Sequence, residues 1–181
     1  SRTFLRKIVP LYLTYDSNQM TDGFGAQGTR IMGIFSIARF FKLGYLHTPI
    51  TKISDVSELL GSAEKHTEYN EILSELNNYI FFPSDEFPTQ NPLYVRIYNI
   101  GFRQLFYYGL KALLNREVLI LEICLPFGIT DRLPMVSNHG KKTWNETRAS
   151  NYNPKPNNTI IVIHVRTSEH SPDRKSTRLN S

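Results

Sequence analysis

Ile8-Val-Pro-Leu-Tyr-Leu-Thr-Tyr-Asp-Ser-Asn-Gln-Met-Thr-Asp-Gly-Phe-Gly-Ala-Gln-Gly28 is the stretch on which the fold turns. Its first eight residues form an apolar, Leu- and Tyr-rich run stopped by Asp16-Ser-Asn-Gln19, which predicts a short buried strand. A glycine segment, Asp22 to Gly28, follows. Beyond it Ile31, Ile34, Phe35, Ala38 and Phe41 recur at helical spacing, with Arg30, Arg39 and Lys42 off that face and Gly44 where a helix C′ residue is expected. Tyr45-Leu-His-Thr48, ended by Pro49, reads as a second strand. Strand, glycine loop, helix and strand in that order are the opening unit of a parallel sheet.

Working outward, Ser54 or Asp55 is placed to cap a short helix over Val56 to Leu60, and Thr67 to Tyr79 reads as a charged amphipathic helix with Ile72, Leu73 and Leu76 inward. Pro83, Pro88 and Pro92 mark an irregular connection before a strand over Leu93 to Tyr98. Phe102 to Leu114 is a strongly apolar helix with Leu105, Phe106, Leu110 and Leu113 in register. Val118 to Cys124 and Thr159 to Val165 are nearly continuous Ile- and Val-rich runs, as expected of parallel strands covered on both faces at the middle of a sheet. Gly128 to Asn158, polar and interrupted by Pro134, Gly140, Pro154 and Pro156, reads as a long surface excursion or domain hinge. The predicted class is α/β, a Rossmann-like parallel sheet with helices on both faces.

The chain has 181 residues, 40% of them hydrophobic and 20% charged, enough for about one domain with a real core. Its formal charge is +5, but Asp173-Arg-Lys-Ser-Thr-Arg-Leu-Asn-Ser181 supplies three of the positive charges and one negative. That string resembles the in-frame translation of a common sequencing adapter, so 173–181 is expected to be no part of the fold. The remaining +3 is scattered along the chain, which argues against a nucleic-acid partner. The lone Cys124 lies in an apolar run and is expected to pack, not to pair or bind metal. Ile31 to Phe41, cut by Ser36 and Arg39, falls short of the roughly 18 to 20 apolar residues of a membrane span. The chain opens at Ser1 with neither Met nor signal-like residues, leaving room upstream for an anchor or signal.

Two motifs offer chemistry. Gly23-Phe-Gly25-Ala-Gln-Gly28 matches GxGxxG in form, yet seven residues separate it from the strand, and no acid follows the second strand until Asp55. Both features count against a nicotinamide site, leaving an NAD-dependent oxidoreductase as a remote alternative. What remains is that glycines admit a ligand close to the backbone and a helix N-terminus favours an anion, although the same glycines suit a plain strand-to-helix turn. His164-Val-Arg166 ends the run Ile160 to Val165, putting a histidine and a guanidinium on one face at a strand's carboxyl end. An arginine there suits a diphosphate, and equally suits a surface pair with Glu169, with His164 bonded in the core.

Together, the glycine-small-Gln turn entering a helix and the later His-x-Arg strand end resemble the GDP-fucose-dependent fucosyltransferases, covering the α1,2-, α1,6- and protein O-fucosyltransferase branches. The matching segments span about a quarter of the chain, by rough count. The resemblance implies the N-terminal half of a GT-B glycosyltransferase: a first Rossmann-like domain over 1–158 and the start of the nucleotide-sugar-binding domain over 159–172. It also implies inverting fucosyl transfer without metal or cofactor, from the donor GDP-fucose to a glycan or protein acceptor. A chain cut off at that point is expected to be inactive alone. Carried over, Arg166 would meet the diphosphate and the charge developing on the leaving nucleotide. His164 would help hold the nucleotide, and Gly23, Gly25 and Gln27 would line the cleft. The chain departs from the branches at Ala26, where two have Asn, at Gly23, where one has Arg, and at Thr167, where two have a second Arg. Those departures also permit a noncatalytic binding or assembly domain.

Asp22 and Glu169 are the carboxylates offered as catalytic base, Asp22 being equally a turn former. His47 reads as a packed or solvent-facing residue. Trp144, near Lys141, Lys142 and Arg148, is a candidate acceptor platform, and the sequons Asn145-Glu-Thr147 and Asn157-Asn-Thr159 fit the Golgi or ER if an upstream signal directs the chain there.

Overall fold

Every strand runs parallel in the computed structural model, which describes residues 9–18, 22–53 and 63–151. The elements in chain order are β1 (Leu11–Tyr15), α1 (Phe24–Phe40), β2 (Gly44–Leu46), α2 (Ala63–Tyr79), β3 (Leu93–Asn99), α3 (Phe102–Asn115), β4 (Leu119–Leu125), α4 (Phe127–Thr130) and α5 (Pro134–Asn151). The sheet order is β2-β1-β4-β3, so the fold is α/β, a Rossmann-like four-stranded parallel sheet flanked by helices. Thr159 to Val165, predicted as a further inner strand, lies outside the described residues, as do Val56 to Leu60.

Register puts Leu11, Leu13 and Tyr15 of β1 beside Leu119, Leu121 and Ile123 of β4, and Tyr45 of β2 beside Leu13. Since side chains alternate along a strand, these seven share one face, and all are buried. Two helices cover it: α1 sets Phe35 edge-on to Tyr45 at 5.2 Å, and α3 brings Gly109 up to Leu11. Fully burying such side chains contributes about 1.5–3 kcal/mol each, so this face is the main stabilising layer.

The structure revises several expectations. α1 is not one-sided: Ile31 and Gly33 through Ala38 are all buried, because α5 packs on the side opposite the sheet. Accordingly 128–151 is no loose excursion, but α4 followed by α5. Its sequence hides this because α5 is polar and Gly140, a poor helix former, marks the point of closest approach to Ser36. Trp144, partly buried, packs on Phe82 with ring centres 5.8 Å apart, so part of its ring is taken up by the core.

Gly44 does not end α1 either. Lys42 takes the left-handed turn at φ 56°, with its N–H on Arg39 O (3.3 Å) and that of Leu43 on Ala38 O (2.8 Å). Gly44 is instead small because Tyr12 lies across it; a Cβ there would come within 2.2 Å of the ring. On α2 Leu73 is buried but Ile72 is exposed, and on α3 the buried positions are Leu105 and Ala112, leaving Phe106, Leu110 and Leu113 exposed.

The proline-rich connection before β3 is irregular, as expected, and closes the β2 edge. Asp85 N–H donates to Tyr45 O and its carboxylate accepts from Tyr45 N–H, both at 2.8 Å, while Arg39 reaches Asp85 at 3.2 Å and Pro83 O at 2.8 Å. A blunted edge discourages pairing with another chain.

Candidate functional site

Chain order places β1 and β4 side by side at the middle of the sheet, with β2 outside one and β3 outside the other. Their carboxyl ends are where open parallel sheets accept ligands. Asp22 and Gly23 lead from β1 into α1, which begins at Phe24, so Gly25, Gln27 and Gly28 form its first turns. Gly23 is the N-cap residue, at φ −58° and ψ 156°, with no side-chain cap hydrogen bond among the described residues and no acid in the first turn. A Cβ added at Gly23 or Gly25 would meet nothing within 4 Å. No glycine among the described residues has positive φ, so the backbone does not require glycine there. No described residue therefore covers the helix head at these two positions.

Gln27 is fully buried, with every polar atom of its amide engaged. Nε2 donates to Asp22 O and Lys52 O, both at 2.7 Å, and Oε1 accepts from the Tyr15 hydroxyl at 3.1 Å. It therefore braces the end of β1, the glycine turn and the irregular segment that follows β2. The Asp22 carboxylate is ion-paired with Arg30, whose guanidinium also lies against the Tyr15 hydroxyl. Burial raises the Tyr15 pKa, keeping the phenol a neutral donor.

On the other face of β1 and β4 the sequence reading missed a second polar group. Asp16, buried, continues β1 with its N–H on Ile123 O at 3.0 Å. Arg96 Nε lies 3.8 Å from Asp16 Oδ2 and 3.2 Å from Glu122 Oε2, and Cys124 Sγ lies 4.0 Å from Asp16 Oδ2. Burial first, and the Asp16 charge second, push the Cys124 thiol up, so it stays protonated and unreactive, in keeping with a packing role. The only signal in the sequence was a carboxylate placed directly after a strand.

His47 lies beside Phe81 and Phe82, with Nδ1 3.0 Å from the Tyr45 hydroxyl. Burial lowers its pKa, and the unfolded chain therefore binds the proton more readily. Stability is expected to fall as pH drops below the ordinary histidine value, and His47→Gln should flatten that dependence. Unfolding at stepped pH checks this; an equal slope in both proteins contradicts it.

The structure thus gathers Asp22, Gly23, Gly25 and Gln27 at one carboxyl edge, while His164, Arg166 and Glu169 lie outside the described residues. Among the described residues no group of three or more His, Cys, Asp and Glu is arranged to hold a metal ion, and no helix is long and apolar enough to cross a membrane. Comparison with known proteins finds no matching family model, no matching curated protein and no matching solved structure.

Proposed function

We propose that this chain serves an inverting transfer of fucose from GDP-fucose to a glycan or protein hydroxyl, with the head of α1 as one wall of the donor cleft. The observation carrying the reading is the uncapped helix N-terminus at the sheet's carboxyl edge, open at Gly23 and Gly25 and braced by Gln27. Backbone N–H groups there suit the donor's negative charge. In the step itself, the acceptor oxygen attacks the anomeric carbon from the side opposite the phosphate. The carbon–oxygen bond to GDP breaks, and the electron pair leaves with the nucleotide. Arg166 would face the charge gathering on that diphosphate, His164 would hold the nucleotide, and Asp22, oriented by Arg30, or Glu169 would accept the acceptor's proton.

Titrating GDP into the isotope-labelled chain tests this. Amide signals of Gly23, Gly25 and Arg166 should move together and saturate, and Arg166→Ala should weaken binding by roughly ten- to a hundredfold. Unmoved glycine signals, or an affinity indifferent to Arg166→Ala, would overturn the reading. A response to NAD in place of GDP would favour nicotinamide chemistry.

A further inference from the structure

We propose that a cavity between the head of α3 and the turn after α4 is a separate anion site, taking the phosphate of a small compound of sugar-phosphate or nucleotide size. The cavity, about 550 Å³, is lined by Gly101, Phe102, Arg103, Gln104 and Arg132. That volume falls in the usual range of small-molecule pockets, roughly 300–1,000 Å³. It too opens at the carboxyl edge of the sheet, following β3 and β4, away from the glycine turn after β1.

The walls are fixed by the backbone. Ile100 N–H donates to Leu125 O at 3.0 Å, and Gly128 N–H donates to Asn99 Oδ1 at 2.8 Å. A Cβ on Gly128 would stand 2.3 Å from Ile100 O, so only glycine lets α4 seat against the β3–α3 turn. That seating carries Arg132, just past α4, to the cavity that Arg103 lines from α3.

Charge then distinguishes the site. Arg30, Arg39 and Arg96 each hold a carboxylate, whereas the guanidinium groups of Arg103 and Arg132 make no hydrogen bond or ion pair with any described residue. Two cations with no counter-ion among the described residues, sharing one concave surface, repel each other and gain by sharing an anion. The first turn of α3 carries no acid, and its N–H groups add to the positive field, while the partly exposed Phe102 ring offers an apolar wall to the body of the ligand. None of this depends on the fucose reading.

Pyrophosphate is the probe. In a titration of the labelled chain the amides of Phe102 and Arg103 should shift and saturate. The double variant Arg103→Gln/Arg132→Gln should raise the Kd at least about tenfold. Both arginines are exposed and bond to no described residue, so the variant is expected to fold. Lys141→Gln/Lys142→Gln, which removes equal charge from the exposed surface of α5, should leave the affinity unchanged, as should Arg166→Ala. The proposal is overturned if the arginine variant binds as tightly as the parent. It is also overturned if the lysine variant weakens binding as much, or if Arg166→Ala abolishes the Phe102 and Arg103 shifts.

Discussion

Gly140→Ala should destabilise the protein by about 3 kcal/mol and lower its Tm by roughly 6–12 °C, although alanine is the better helix former. The added Cβ would stand 1.7 Å from Ser36 Oγ and 2.7 Å from Ser36 Cα. Moving the hydroxyl is not enough, because the second contact is with backbone, so α5 must back away from α1. That withdrawal loosens Val136, which is buried, and Trp144 on Phe82. Propensity returns only about 1 kcal/mol. Adding Ser36→Gly removes the side-chain part of the clash and should recover part of the loss. A Gly140→Ala protein as stable as the parent would show that the two helices do not touch at this point.

Gln27→Leu should cost about 2–4 kcal/mol, since it keeps the bulk but strands the Tyr15 hydroxyl and the carbonyls of Asp22 and Lys52. The loss is also local: amide exchange should quicken around Asp22 to Gly25 and Ile50 to Ile53 before the rest of the sheet responds. Tyr15→Phe removes one of the three bonds and should cost about 1 kcal/mol. Combined with Gln27→Leu it should add less than it does alone, because the hydroxyl has already lost Gln27 and keeps only the Arg30 guanidinium beside it. Additive costs would mean that Gln27 and Tyr15 act separately. A drop in GDP affinity with Gln27→Leu, beyond the loss of stability, is expected if the glycine turn needs its brace to receive a ligand.

The parallel sheet was legible because β1 and β4 are written as apolar runs that nothing else explains, and because α1 follows its glycine turn with a helical period. What the sequence concealed depends on contacts between elements. Gly44 looks like a helix stop until Tyr12 is seen lying across it, and Gly140 looks like a loop residue until Ser36 is seen beneath it. Lys42 takes the left-handed position that residue statistics would give to glycine. The stripe Phe106, Leu110 and Leu113 has a core helix's periodicity yet faces outward, since periodicity tells which residues share a side and not what covers them.

At the candidate site the glycine turn was visible as a motif, but Gln27 was read as a cleft residue when its whole amide is spent on internal bonds. Nothing in the sequence pairs Asp16 with Arg96, since they lie 80 positions apart and meet only through the pairing of β3, β4 and β1. Arg103 and Arg132 are hidden for the same reason: nothing in their spacing announces a shared cavity.

A crystal structure of the chain soaked with GDP-fucose bears most directly on the central proposal. The account predicts the diphosphate at the Gly23–Gly25 edge of α1, with the Arg166 guanidinium on the same phosphate oxygens. A Gly23–Gly25 edge left without diphosphate, or a diphosphate there with Arg166 remote from it, would contradict the account, whether or not a second one sits between Arg103 and Arg132.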